Sequence, residues 1–137
     1  VNVDTRLDSV FNTEPIYSLE DSTIYSDVGL ITLGKLVEAA SGHSLDCFVD
    51  SLIFQPLGMT STFYNPSDQK LHRIVPTEIN PNSRLIHGIV HDENAYSIGG
   101  VAGHAGLFST ARDLARFSQM MLNDGIYGWK RIFREKN

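Results

Sequence analysis

Apolar residues recur at helical spacing over residues 28–41, where they lie three and four positions apart. Ser26 or Asp27 can cap the first turn, and Gly42 suits the end of the last turn because glycine tolerates a left-handed backbone. The pattern therefore predicts a helix over 28–41.

Two further stretches have the same spacing. Residues 45–54 predict a helix that packs against the first as an antiparallel hairpin and stops before Pro56, since the residue preceding a proline is pushed out of the α region. Residues 110–122 open with Thr110 and Asp113, a capping box in which aspartate replaces the usual glutamate. These residues predict a third helix.

The rest of the chain is less regular. Residues 1–24 predict one short helix followed by a loop, whereas residues 57–109 show neither a helical nor a strand period over any long stretch. Short strands are expected within 84–91 and 107–109. The predicted fold class is mostly α with long loops, which is a helical layer without the sheet of a complete enzyme core.

Composition narrows the function classes. The chain has 137 residues, which is the size of one domain, residues 1–137. Its formal net charge of −5 disfavours a nucleic-acid partner. Cys47 is the only cysteine, which excludes an internal disulfide and a multi-cysteine zinc site. No apolar run in the sequence is long enough for a membrane span.

No cofactor or metal is expected. The glycines at 99, 100, 103 and 106 lack the preceding strand and following helix of a dinucleotide site. His87 and His91 have the spacing of helical metal ligands, with Asp92 and Glu93 beside them and His104 further on. Gly88 between the two histidines disfavours a helix, and in a strand the two rings would lie roughly 13 Å apart. Locally hydrogen-bonded loop histidines are the favoured interpretation.

The candidate chemistry lies at Tyr25-Ser26-Asp27, before the first predicted helix. The structural interpretation is a buried ring followed by a helix cap. The functional interpretation is a general base, Tyr25, with Asp27 hydrogen-bonding a substrate. A phenol has a pKa near 10, so such a base needs a cation within reach, and Lys35 is more than two helical turns away.

The order of several sequence blocks resembles the serine beta-lactamase/penicillin-binding-protein superfamily. Within it, the chain is most similar to the bacterial branch of class C beta-lactamases, esterases and D-Ala-D-Ala peptidases. The resemblance covers about residues 20–128, and the order of the blocks is more specific than any one of them. The blocks are residues 25–29 (YSDVG), 40–42 (ASG), 53–62 (IFQPLGMTST), 90–95 (VHDENA), 99–111 (GGVAGHAGLFSTA) and 113–117 (DLARF).

The resemblance implies a helical subdomain of the beta-lactamase-like fold and roles for three residues. Tyr25 matches the tyrosine that relays the proton of the attacking serine. Asp27 stands where many members have asparagine. A carboxylate accepts hydrogen bonds but does not donate them, so this replacement weakens the case for recognition of a lactam amide. His104 lies in a segment near the rim of the active site, so Asp27 and His104 are expected to contact substrate.

The same resemblance predicts an incomplete enzyme. The one Ser-x-x-Lys in the chain, Ser67 to Lys70, follows the tyrosine motif instead of preceding it and is interpreted as a coincidence. The third motif and its sheet are expected to be missing. The leading hypothesis is an internal fragment of a serine hydrolase acting on lactam, peptide or ester substrates, with exposed apolar faces that favour self-association and no activity of its own.

Two alternatives stay open. One is a non-catalytic binding or interaction module that reuses the helical layer and covers its own apolar faces. The other, less favoured, is a complete divergent hydrolase that uses Ser67 and Lys70 with Tyr25. The resemblance also implies a small-molecule or peptidoglycan-peptide substrate for the parent enzyme and a periplasmic or extracellular location.

Overall fold

A computed structural model describes residues 2–18, 20–79, 82 and 84–134. Helices dominate this part of the chain and strands are only two residues long, so the prediction of a mostly helical fold without a large sheet is confirmed. The α-helices are α1 Val3–Phe11, α2 Asp27–Ser41, α3 Leu45–Val49, α4 Gln55–Leu57, α5 Glu93–Ser97 and α6 Ala111–Leu122. The antiparallel strand pairs are β1 Phe63–Tyr64 with β4 Leu107–Phe108, β2 Glu78–Ile79 with β3 Leu85–Ile86, and β5 Ile126–Tyr127 with β6 Lys130–Arg131.

Helix α2 confirms the first predicted helix. Ser26 is its N-cap, with the side-chain oxygen accepting the Gly29 N–H at 3.1 Å. Gly42 ends it in the left-handed region at φ 71°, and its N–H donates to Glu38 O. Both ends are therefore set by the local sequence.

The predicted stop before Pro56 is wrong. After α3 the backbone continues as a π-helical turn, Asp50–Phe54, and then as α4, which contains the proline and ends at Gly58 with φ 66°. The wider π turn accommodates a residue without an N–H because the regular α hydrogen-bond ladder is already interrupted there. The glycine, rather than the proline, ends the helix.

The segment 57–109 contains more structure than its pattern predicts. Strands β3 and β4 lie inside the two expected strand regions, but α5 and a 3₁₀ helix, Asp68–Arg73, were not expected. β1 pairs with β4 through Phe63↔Phe108 and Tyr64↔Leu107. This pairing brings together two loops about forty residues apart in the chain and fixes the glycine-rich segment that follows α5.

The capping box at α6 is confirmed only in part. The Thr110 side chain accepts a hydrogen bond from the Asp113 N–H, as expected. The Asp113 side chain, however, points away from the start of α6 and accepts the Ser61 N–H at 2.8 Å and the Thr62 hydroxyl at 3.1 Å. Arg116 lies 3.4 Å from the other carboxylate oxygen. A residue expected to cap a helix therefore ties α6 to the turn after α4.

Buried apolar side chains in the described part of the chain form two clusters. One joins α2 to the α5 region and is made by Ile31, Val90, Ala95, Ile98 and Ala102. The other joins α4 to α6 and is made by Phe54, Leu57, Met59 and Met120. Each cluster is small, which leaves one face of several helices in solvent.

The exposed apolar residues include members of the three long predicted helices. Among them are Leu33, Leu36, Leu52, Leu114 and Leu122, all more than half exposed. A helix that shows apolar side chains on its solvent face normally has a partner for that face. No helix in the described part of the chain is long and apolar enough to cross a bilayer.

Candidate functional site

The first wall of the candidate site is the start of α2. Tyr25 is 81% exposed, so it is not the buried ring that the structural interpretation required. Asp27 is the first residue of α2 and is partly buried. A carboxylate at this position is favoured by the partial positive charge of the helix N-terminus.

The second wall is the start of α5, which packs beside α2. Asp92 is the N-cap of α5 and accepts the Ala95 N–H at 2.7 Å. Asn94, in the first turn, donates its side-chain N–H to Asp27 Oδ2 at 3.3 Å. Two helix starts that are 67 residues apart in the chain therefore share a hydrogen bond between their polar side chains.

His104 completes the group from the loop before β4. Its side chain is 2% exposed, and Nε2 lies 2.9 Å from Asp92 Oδ1. Because an ionised carboxylate only accepts, Nε2 carries the proton of this bond. The fold brings together ligand-type atoms of Asp27, Asp92 and His104 within 4.8 Å of one another. Two of the three sequence-predicted site residues, Asp27 and His104, are therefore neighbours.

Asp92 and Asn94 are the site residues that sequence reasoning missed. Both lie in the block 90–95, which carries part of the family resemblance. The sequence brings in Asp92 only as a neighbour of His91 in the rejected metal site, and it assigns no role to Asn94. A short polar residue before a helical turn is a weak cap signal in a five-residue helix. Their contacts with Asp27 and His104 depend on tertiary structure and leave no local spacing to detect.

The loop that carries His104 is held close to α2 by small residues. A Cβ added at Gly103 would lie 2.2 Å from the Leu30 carbonyl oxygen, so only glycine fits without movement. Tyr64 donates its hydroxyl to the Ala102 carbonyl at 3.1 Å, and Asn65 donates to the Gly99 carbonyl at 2.9 Å. Contacts with the end of β1 and with one face of α2 together fix the position of this loop, and therefore the position of the His104 imidazole.

The histidines considered as metal ligands have separate protein partners. His87 Nε2 lies 3.0 Å from Leu71 O and 2.8 Å from Ile74 O, which are backbone acceptors. His91 Nε2 pairs with the Glu78 carboxylate. The two rings thus contact different segments, and their partners lie 13 to 16 residues away in the chain rather than next to them.

Ser67 and Lys70 do not form a nucleophile–base pair in this fold. Ser67 precedes the 3₁₀ helix, and the Lys70 ammonium lies 3.7 Å from the centre of the Phe63 ring. A lysine in this cation–π contact is held on the aromatic face. Lys35, the other lysine weighed in the sequence, pairs with Glu38 at 2.7 Å.

The pKa of the Asp92 carboxyl is lowered from its ordinary value near 3.8. The largest cause is the hydrogen bond from the Ala95 N–H, and His104 adds a further hydrogen bond and a favourable charge interaction. Burial opposes the shift but is outweighed. The ionised form of Asp92 is therefore the form that the folded chain stabilises.

Asp92→Asn is expected to remove part of the acid sensitivity of folding. A carboxyl with a lowered folded pKa stabilises the fold above its unfolded pKa, and this contribution is lost as the pH falls through the folded value. The stability difference between wild type and Asp92→Asn should therefore shrink as the pH falls below about 3.8. Urea denaturation at a series of pH values measures it, with the exposed Asp21→Asn as control; a difference that stays constant with pH would contradict the assignment.

Comparisons with known proteins identify the family of this chain. The beta-lactamase family profile matches residues 2–133. A protein of Escherichia coli K12 named "Putative D-alanyl-D-alanine carboxypeptidase" is 43% identical over 142 residues, covering 93% of this chain and 33% of that protein. A protein of the same name from Salmonella gallinarum is 40% identical over 147 residues, covering 96% of this chain and 34% of its own length. The chain thus spans about one third of these relatives.

Superposition on solved structures supports the same fold without relying on close sequence similarity. A beta-lactamase/D-alanine carboxypeptidase from Pseudomonas syringae superposes with a TM-score of 0.70 at 20% identity, over 95% of this chain and 34% of that one. A structure described as a beta-lactamase from Bacteroides dorei gives 0.66 at 19% identity, over 96% and 32%. The profile match extends over nearly the whole sequence, and the chain belongs to the beta-lactamase family.

Proposed function

We propose that this chain supplies the tyrosine motif of an acyl-serine hydrolase. The observation that carries the proposal is the position of Tyr25: it is solvent-exposed and lies two residues before Asp27, where the starts of α2 and α5 meet His104. A general base must reach a nucleophile and a substrate, and an exposed phenol beside a polar cluster meets both needs.

In the proposed reaction Tyr25 relays the proton of a serine hydroxyl towards the leaving group while the serine oxygen attacks the substrate carbonyl. The leaving group departs with a proton, and water then hydrolyses the acyl-serine ester. Asp27 accepts an N–H of the substrate through an oxygen not used by Asn94. His104 holds the rim, since its Nε2–H is fixed on Asp92.

The substrate class that we favour is a peptide ending in D-alanine, because the relatives named above are called D-alanyl-D-alanine carboxypeptidases. A groove of about 560 Å³ has Asp92 in its lining, whereas Tyr25, Asp27 and His104 lie outside that lining. Its lining includes Lys70 and Arg73, two cations in an acidic chain, together with apolar side chains. Such a surface suits an extended peptide that bears carboxylates.

The interaction-module alternative is less well supported. That hypothesis requires the apolar faces of residues 28–54 and 114–122 to cover one another, whereas Leu36 is 61% and Leu122 80% exposed. Exposed apolar faces of this kind favour self-association of the isolated chain. Size-exclusion chromatography separates the two hypotheses. A module whose apolar faces cover one another elutes as a monomer at all concentrations, whereas a chain with exposed apolar faces self-associates as its concentration rises.

The purified 137-residue chain is expected to show no serine-dependent hydrolysis of nitrocefin or p-nitrophenyl acetate, because the Ser-x-x-Lys motif that would supply the nucleophile for Tyr25 is expected to be missing from it. In the full-length gene product, Tyr25→Phe should lower kcat/KM for a D-alanyl-D-alanine peptide by roughly 10²–10⁴-fold, the usual contribution of a general base. Steady-state kinetics with both proteins measure these outcomes.

The matched control is Tyr17→Phe, which changes another exposed tyrosine outside the site. It should leave the kinetics of the full-length product unchanged. Activity of the isolated chain that disappears in Ser67→Ala would overturn the proposal in favour of the complete-hydrolase alternative. Unchanged kinetics in the Tyr25→Phe product would also reject the assignment of the base.

A further inference from the structure

We infer that Lys70 and Arg73 bind an acidic side chain of the peptide substrate, at a residue on the N-terminal side of the bond that is cleaved. The inference rests on the proposed hydrolase function and specifies which part of the substrate the groove holds. The lining of the groove is drawn from four segments of the chain, within 61–63, 70–77, 89–92 and 105–110. The groove therefore exists only in the folded chain, around the paired strands β1 and β4.

The 3₁₀ helix Asp68–Arg73 places both cations on one side. A 3₁₀ helix has three residues per turn, so side chains three positions apart lie one above the other. Lys70 and Arg73 are three positions apart in this helix, and both line the groove. The local backbone thus aligns two positive charges along one wall of the groove.

Neither cation is neutralised by the protein. The Lys70 ammonium lies 3.7 Å from the centre of the Phe63 ring, and Arg73 donates from Nη2 to the Ser61 hydroxyl oxygen at 3.2 Å. Within the described ranges, neither side chain forms an ion pair with a carboxylate. An ammonium has three N–H donors and a guanidinium has five, so most of these donors are available to a ligand.

The groove is positively charged although the chain carries a net charge of −5. Asp92 is the one carboxylate in the lining, and its Oδ1 already accepts the Ala95 N–H and the His104 Nε2–H. His91, also in the lining, pairs with the Glu78 carboxylate. Two permanent cations against one engaged carboxylate complement an anionic ligand.

The apolar part of the lining favours an acidic side chain over a small inorganic anion. Val75 is 81% exposed, and Ile89 and Leu107 are each 49% exposed, so these side chains offer apolar surface beside the two cations. A glutamate side chain has methylene groups to cover such surface and a carboxylate to meet the cations. Inorganic phosphate has no apolar part.

The position of the groove indicates which carboxylate of the peptide it receives. Tyr25, Asp27 and His104 lie outside the lining, and Asp92 connects the lining to them through its hydrogen bond with His104. The terminal carboxylate of a D-alanyl-D-alanine peptide is only one residue from the bond that is cleaved, so it stays with that bond beside Tyr25. An extended chain advances about 3.3–3.6 Å per residue, so an acidic side chain a few residues earlier extends away from Tyr25.

The test measures binding of labelled peptides to the 137-residue chain by fluorescence anisotropy. The peptides are Gly-Glu-Gly-D-Ala-D-Ala, its twin with glutamine in place of glutamate, and both of these with an amidated C-terminus. We expect the glutamate peptide to bind about 5–10-fold more tightly than its glutamine twin, with the same preference in the amidated pair. Lys70→Met and Arg73→Gln should each remove most of this preference. Methionine retains an unbranched side chain on the Phe63 ring, and glutamine retains an N–H donor for Ser61.

The matched control is Lys130→Met, which removes an exposed lysine of β6 outside the groove and should retain the full preference. If Lys70→Met fails to fold, as judged by circular dichroism, Arg73→Gln decides the case because Arg73 is exposed. Three results would overturn the inference. They are a wild type that does not distinguish glutamate from glutamine or binds neither peptide, a preference that survives in the groove variants, and a preference that disappears when the C-terminus is amidated.

Kinetics of the full-length gene product separate this inference from the proposed function. Lys70→Met should raise KM for the glutamate peptide by about 5–10-fold and leave kcat unchanged, because a contact remote from the reacting bond is equal in the ground state and the transition state. Tyr25→Phe should lower turnover without changing the preference for glutamate. Unchanged turnover in Tyr25→Phe with the preference intact would reject the base and leave the groove assignment standing.

Discussion

Asp113→Ala is expected to lower the free energy of unfolding by about 3–4 kcal/mol, a large part of the stability of a domain this size. Asp113 is 3% exposed and accepts the Ser61 N–H and the hydroxyl of the equally buried Thr62. Alanine leaves the Ser61 N–H without its acceptor, and an orphaned buried donor costs about 1–3 kcal/mol. It also removes one partner from the Thr62 hydroxyl, which keeps Ser109 at 2.8 Å, and one from the Arg116 guanidinium. Urea denaturation followed by circular dichroism measures the change.

Two variants separate the buried contacts from the charge itself. Asp113→Asn retains one carbonyl oxygen for Ser61 and Thr62 and should cost roughly half as much as alanine. Asp21→Ala, at an exposed position, should change stability by less than about 0.5 kcal/mol. Equal effects of the asparagine and alanine variants at 113 would show that the ion pair with Arg116, rather than the two buried donors, accounts for the loss.

Asp113 also illustrates how far the sequence predicts the fold. The helices α2 and α6 follow from local spacing and from caps at Ser26 and Thr110, and both begin where the pattern places them. The partners of the Asp113 carboxylate are about fifty residues away, so no window of sequence contains them. A local pattern therefore predicts an element better than it predicts what that element contacts.

The helix after Ser44 shows a different source of error. The rule that a proline ends a helix assumes that the regular hydrogen-bond ladder continues up to it. Here the ladder widens into the π turn Asp50–Phe54 before Pro56, so the proline removes no regular bond. Buried Phe54 and Leu57 anchor this stretch against Met120 of α6. Tertiary packing thus outweighs the local signal.

The sequence picks out those candidate site residues that belong to a recognisable motif. Tyr25 and Asp27 stand out because they adjoin a strong helix start, and His104 is identified through the family resemblance. Asp92 and Asn94, which contact Asp27 and His104, belong to a five-residue helix without a detectable period. Physical proximity between two helix starts cannot be inferred from either segment alone.

Gly103→Ala is expected to lower the free energy of unfolding by about 2–3 kcal/mol and to displace His104 from Asp92. A Cβ at position 103 would lie 2.2 Å from the Leu30 carbonyl oxygen, and a backbone atom inside α2 has little freedom to retreat. The loop must therefore move away from the helix and take the neighbouring imidazole with it. Urea denaturation measures the stability, and NMR of the His104 ring nitrogens reports whether the Nε2–H bond to Asp92 survives.

Gly29→Ala is the matched control because it also adds one methyl group to a glycine, here one in the first turn of α2 itself. Its Cβ would lie 3.7 Å from the nearest atom, which is ordinary contact, and alanine favours the helix by about 0.5–1 kcal/mol. We therefore expect Gly29→Ala to raise stability and to leave the His104 signals unchanged. If both variants were equally destabilising, the effect would reflect a general intolerance of this helix; if Gly103→Ala retained the His104 bond, the loop would not be held by its contact with Leu30.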